Sequence, residues 1–150
     1  MNFESVDQIL DYAIKKEEEA FQFYTDLASK MNRHNMKKLF EEFAQEEKDH
    51  KAKLLAAKEG KLMIGSEQKI LDLKIGDHLV DVDLDSNLSY QEALIIAMKA
   101  EKAAYRLYND LASVIDNEHL RSTLLDLAQE EAKHKLRFEV EYDDYVLKED

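Results

Sequence analysis

"FAQEEKDHK" at residues 43–51 and "LAQEEAKHK" at residues 127–135 are two versions of one motif. Steps of three and four residues, which keep side chains on one helix face, run through both. The first series is Met36, Phe40, Phe43, Glu47, His50, Leu54 and Ala57; the second is Leu120, Leu124, Leu127, Glu131, His134 and Phe138. Each is an apolar stripe interrupted near its middle by a Glu and, one turn later, a His. Ionisable side chains on a face meant for burial demand a reason.

The motif belongs to a longer repeat with an offset of 84 residues, because "YTDLAS" at 24–29 falls on "YNDLAS" at 108–113 in the same register. The expected organisation is one domain over residues 1–150, duplicated as 5–60 and 89–144, with a crossover at 61–88. Ser5-Val6-Asp7-Gln8 and Ser89-Tyr90-Gln91-Glu92 are capping-box patterns that start a helix at matching points of the two repeats. The first helix is predicted to run to Met31 and the third to Ile115. The polar breaks "NRHN" (32–35) and "DNE" (116–118) are short enough to join antiparallel neighbours. The second helix is predicted to end near Gly60 in a left-handed cap, and the fourth near the acidic "EYDDYVLKED" tail. Residues 61–88, with the period-two stretch "HLVDVDLD", read as an extended connection strapped along the helices. The fold class is therefore all-α: an antiparallel four-helix bundle with one long crossover between the second and third helices.

The two remaining helices carry stripes of the same kind. The first gives Val6, Leu10, Ala13, Glu17, Ala20, Tyr24, Leu27 and Met31; the third gives Tyr90, Leu94, Ala97, Glu101, Ala104, Tyr108, Leu111 and Ile115. One Glu interrupts each. All four interruptions lie near mid-helix, so antiparallel packing brings them to one height. Four buried carboxylates without partners would cost energy comparable to the stability of a whole domain. Two divalent cations would balance their charge, and two neutral imidazoles would add lone pairs. Oxygen ligands mixed with nitrogen suit iron or manganese better than structural zinc.

Composition removes several function classes. The chain has no proline and three glycines, which favours long helices. With 33 acidic and 21 basic residues its formal charge is −12, which opposes nucleic acid and anionic lipid as partners. It has no cysteine, so disulfides, iron–sulfur clusters and thiolate metal sites are excluded within it. "MNFESVDQIL" has no basic segment leading into an apolar one, and the longest apolar run, "ALIIAM" at 93–98, is too short for a membrane span. No membrane partner and a cytoplasmic location are the expectations.

One Glu from each of two helices and Glu-x-x-His from each of the other two is the dimetal carboxylate signature of ferritin-like proteins. The chain most resembles the rubrerythrin branch, over about 5–60 and 89–142, including a Tyr seven residues after each lone Glu: Tyr24 after Glu17, Tyr108 after Glu101. The resemblance implies that Glu47 and Glu131 bridge two metal ions, that Glu17 and His50 complete one and that Glu101 and His134 complete the other. The ions would be iron, with manganese or a mixed pair as alternatives. Tyr24 and Tyr108, otherwise ordinary core aromatics, would donate hydroxyls to the ligand carboxylates. The implied function is a non-haem di-iron oxidoreductase reducing peroxide or reacting with dioxygen, protective against oxidants. A ferroxidase that binds iron without a large cage, or a dimetal hydroxylase, are the alternatives.

The departures from the family pattern carry expectations too. Rubrerythrins have a further carboxylate where this chain has Ala104, which opposes movement of a metal between ligands. Lacking a rubredoxin-like cysteine site, the chain would need an external electron donor. Lys48 follows Glu47 where bacterioferritin has its haem ligand, so no haem is expected. Sixteen residues follow His134, too few for a fifth helix after the fourth ends. Glu46 and Glu130, one residue off the stripes, are read as solvated or as supports for the ligands. His34, His78 and His119 are read as surface or capping residues. Phe21, Phe23, Tyr105 and Leu107 are either the face of a homodimer or part of a wider core stripe.

Overall fold

The fold comes from a computed structural model and is described for residues 2–64, 71–72 and 88–149. Four helices carry it: α1 (Val6–Lys30), α2 (His34–Ile64), α3 (Tyr90–Ser113) and α4 (Glu118–Glu149). Ser5 and Ser89 both act as N-caps. The Ser5 side chain accepts from the Gln8 amide at 3.2 Å, and Ser89 Oγ accepts from the Glu92 amide at 3.1 Å. The turn before α4 is held by Asn117 Oδ1, which accepts from the Leu120 amide at 3.0 Å, and by the Arg121 guanidinium, which donates twice to the Ile115 carbonyl.

Helix directions follow from which residues meet. Lys58 on α2 pairs with Asp11 on α1, and Lys51 with Glu18, so these two helices are antiparallel. Tyr90 on α3 reaches Glu141 on α4, which sets the same relation for the second hairpin. Between the hairpins, Tyr24 on α1 meets Glu101 on α3, and Arg137 on α4 meets Glu42 on α2. Those contacts also join antiparallel neighbours. The order is thus up, down, down, up, and a chain leaving the bottom of α2 must travel the length of the bundle to begin α3 at the top.

Three boundaries differ from the sequence expectation. Gly60 does not cap α2, which continues through it to Ile64. Nothing lies within 4 Å of the place a Cβ would occupy there, and no turn forces a left-handed backbone, so the helix tolerates its glycine. Helix α3 ends at Ser113, two residues short of Ile115, where the Val114 amide turns back onto the Leu111 and Ala112 carbonyls. Helix α4 runs on through the acidic tail to Glu149, since that segment holds no Gly or Pro to stop it. Of the expected crossover, residues 61–64 are helical, and Leu71–Asp72 (β2) pairs antiparallel with Asn2–Phe3 (β1). The rest, including the period-two stretch and His78, lies outside the described residues. Phe3 is buried edge-on against Tyr12, with ring centroids 5.6 Å apart.

The apolar stripes pack into two clusters. One holds Ile9, Leu10, Leu54, Leu111, Leu124 and Leu127; the other holds Tyr24, Phe40, Phe43, Leu94 and Phe138. Between them along every helix falls a polar layer. Leu107 belongs to the first cluster, and Phe21 and Phe23 pack half-buried against the second, so of the four residues open to a dimer face Tyr105 is left exposed. No helix among the described residues is long and apolar enough to cross a membrane.

Gly60→Ala should stabilise the metal-free protein by about 1 kcal/mol, because Ala lowers the entropy lost on folding at an open helical position. Urea unfolding followed by circular dichroism checks the sign.

Candidate metal centre

Among the described residues, the charged or strongly polar side chains that are buried are Glu17, Glu47, His50, Glu101, Glu131 and His134. They are the six that interrupt the stripes. Each helix places its contribution by the same arithmetic that places its core, so the residues on either side of the interruption, such as Phe43 and Leu54 around Glu47, anchor it from above and below.

The six fall into two groups of four that share two members. Glu17, Glu47, His50 and Glu131 offer ligand atoms all within 4.8 Å of one another, and so do Glu47, Glu101, Glu131 and His134. Glu47 and Glu131 stand in both groups. The imidazoles of His50 and His134 lie parallel, 4° apart, with centroids separated by 5.6 Å. Nδ1 of each ring faces inward: that of His50 is 2.7 Å from Glu131 and 3.6 Å from Glu17, that of His134 is 3.2 Å from Glu47 and 3.5 Å from Glu101. Nε2 faces outward, 2.6 Å from Glu130 for His50 and 2.8 Å from Glu46 for His134.

The donor set fits a pair of cations. Glu17 Oε2, Glu47 Oε1, His50 Nδ1, Glu101 Oε2, Glu131 Oε1 and His134 Nδ1 are all buried and crowded together, yet none makes a well-aligned hydrogen bond, not even His50 Nδ1 and Glu131 Oε1 at 2.7 Å. Buried polar atoms are rarely left so, and here one from every member of the cluster is left facing the same small volume. A proton on the outward Nε2, beside a carboxylate, leaves the inward Nδ1 as a lone pair, the form a metal requires.

A profile of the Rubrerythrin family matches residues 8–142. The chain belongs to the Rubrerythrin family. Two solved structures resemble this rubrerythrin-family chain. A hypothetical protein of Pyrococcus furiosus shares 27% identity with a TM-score of 0.69, over 93% of this chain and 89% of that one. A Thermotoga maritima protein, provisionally described as ferritin-like diiron-carboxylate, shares 24% identity with a TM-score of 0.75, over 97% and 98% of the two chains. No curated protein matches.

Around the cluster, this rubrerythrin-family chain supports four of the six side chains, Glu17, His50, Glu101 and His134, from the opposite repeat. Tyr24 on α1 donates its hydroxyl at 2.5 Å to Glu101 on α3, and Tyr108 on α3 donates to Glu17 on α1. Burial first, and the surrounding carboxylates second, push both phenols well above their ordinary pKa, so they remain donors. Glu130 and Glu46 likewise approach the imidazole of the other repeat. Sequence spacing placed these two glutamates four residues before a histidine on their own helix and gave no sign that packing would exchange partners. Lys53 pairs with Glu130 at 3.0 Å and helps hold its pKa down against the effect of burial. His34 and His119 are exposed, as expected. Ala104 is half-buried and lines a recess beside Glu101.

With protein groups alone, the layer meets its own repulsion by holding protons. Burial, then the neighbouring carboxylates, raise Glu47 and Glu131 well above the ordinary value of 4.5. Burial opposes charge on His50 as well, but Glu17 and Glu130 outweigh it and its pKa is raised. Glu101 moves the other way: burial pushes it up, while Glu131, His134 and Tyr24 pull it down further.

Groups with raised folded-state pKa values stabilise fully below their unfolded values and lose that contribution as pH rises through the folded ones. The metal-free protein should therefore unfold more easily at about pH 8 than at about pH 5, a window in which the depressed Glu101 and Glu130 stay ionised in both states. The double variant Glu47→Gln, Glu131→Gln should flatten this slope. Thermal unfolding at the two pH values, wild type against variant, measures it.

Proposed function

We propose that this chain holds two iron ions in the layer between its hairpins and uses them to reduce peroxide, or react with dioxygen, with electrons from a separate donor. The observation that carries the reading is the convergence of six buried side chains, each with an unpartnered atom, on one volume. Glu47 and Glu131, common to both groups, would bridge the ions. Glu17 with His50 and Glu101 with His134 would complete them. Carboxylate oxygens with imidazole nitrogen suit iron or manganese, and no thiolate is available to favour a softer metal. When bound, an iron pair supplies two electrons, one from each ion, matching the two that cleavage of an O–O bond consumes.

The protein's share of the work is positional. Tyr24 and Tyr108 keep the terminal carboxylates in place, and O–H donation reduces their basicity. Glu46 and Glu130 set the direction of the imidazoles from outside. The two apolar clusters above and below exclude water, which strengthens every electrostatic contact in the layer. A role in protecting the cell from oxidants follows from that chemistry.

Anaerobic titration with ferrous iron should give two ions per chain, and replacing both Glu47 and Glu131 with Ala should abolish the paired site while the metal-free variant stays folded. The loaded wild type should consume hydrogen peroxide when a one-electron donor is supplied. Uptake of many ions per chain without peroxide turnover would instead indicate iron storage, and stoichiometric binding by the double variant would overturn the ligand assignment.

A further inference from the structure

The two open faces of the polar layer differ in kind. On the α2 and α4 side lies a groove of about 650 Å³ lined by His50, His134, Glu46, Glu130, Lys53 and Arg137 among others. Every one of those groups is charged or polar, and the parallel imidazoles stand between the groove and the carboxylates. On the α1 and α3 side lies a smaller recess of about 210 Å³. Its floor is Glu47, Glu101 and Glu131, each 1% exposed and each with an unpartnered oxygen. Its walls are Ala20, Ala100, Ala103 and Ala104, closed by Phe23, Leu107 and the ring of Tyr24, whose hydroxyl is taken up by Glu101. The charges at its rim, Lys16 and Glu19, pair with each other at 3.1 Å.

Resting on the redox reading above, we propose that this recess is the substrate site and that it takes short-chain alkyl hydroperoxides. Three features select them. First, the recess reaches the ligand carboxylates directly, whereas the opposite groove ends on the outer edges of the histidines. Second, its walls are apolar and its rim charges are mutually neutralised, so a neutral molecule enters without losing solvation to an unpaired ion. Third, it is larger than hydrogen peroxide or dioxygen requires. An apolar cavity of about 150 Å³ already accepts a benzene molecule, so a four-carbon group fits beside the O–O unit, while a long fatty acyl chain does not.

The alanines set that size. Ala20 and Ala104 occupy equivalent positions of the two repeats, facing each other across the recess from α1 and α3. A longer side chain at either place would fill the volume left for the alkyl group. The reaction balances as ROOH plus two electrons and two protons giving ROH and water. The O–O bond breaks, two equivalents of an external one-electron donor are oxidised, and each oxygen leaves with one proton added.

The first test needs no metal. In metal-free protein with carbon-13 alanine methyls, tert-butanol, the product of tert-butyl hydroperoxide reduction, should shift the resonances of Ala20, Ala100, Ala103 and Ala104 saturably, and Ala104→Leu should remove the shifts. The second compares kcat/KM for tert-butyl hydroperoxide with that for hydrogen peroxide on iron-loaded protein; Ala104→Leu should lower the ratio by about tenfold, the discrimination expected from losing room for a methylene or more. Ala20→Leu should reproduce both effects from the other helix, which guards against a folding defect in one variant. If hydrogen peroxide is reduced but the alcohol moves no alanine methyl, or neither leucine variant changes the ratio, the substrate assignment falls and the redox reading stands. If the alcohol binds but neither peroxide is reduced, the redox reading falls and with it the role of the recess as a substrate site.

Discussion

Four carboxylates share one dry layer in this bundle, and their mutual repulsion is the constraint around which the other parts are arranged. In a low-dielectric interior such charges cannot coexist unless something positive stands among them or protons neutralise some of them. The raised pKa values of Glu47 and Glu131, the inward Nδ1 atoms and the tyrosine donors are responses to the same field. The layer divides the core in two, so the chain forgoes a continuous apolar interior in favour of a site.

Topology makes that layer achievable. The up, down, down, up order places α1 beside α3 and α2 beside α4, each antiparallel, so residues near the middle of one helix meet residues near the middle of the next. It also sorts the chemistry by face. The Glu-x-x-His helices present their imidazoles on one side, with charged neighbours behind them, and the helices with a single Glu present alanines on the other. Two faces of one bundle thereby acquire opposite polarity from the same repeat.

Much of this was legible in the sequence for a simple reason. Helical periodicity is local, so Glu17, Glu47, His50, Glu101, Glu131 and His134 could be placed on buried stripes without knowing how the helices pack. Antiparallel pairing from short breaks and the need for a long crossover follow from chain geometry. What periodicity cannot give is which residue of one helix meets which of another. The partners of Tyr24, Tyr108, Glu46 and Glu130 all lie in the opposite repeat, and the spacing on their own helices suggested nothing of it. Gly60 misled because glycine marks a helix end only where the chain must turn. The alanine recess was invisible for a different reason, since a cavity is defined by what several helices leave unfilled.

The exchange of partners between repeats makes the two halves of the chain depend on each other. Each group of four draws three ligands from one hairpin and the fourth from the other, and each terminal Glu is held by a tyrosine from across the divide. A lone hairpin would own neither position in full and could complete one only by meeting a second copy in solution. Carried on one polypeptide, that encounter is intramolecular and independent of concentration. It also ties the two halves together: a substitution in either one alters the surroundings of a cluster residue in its twin.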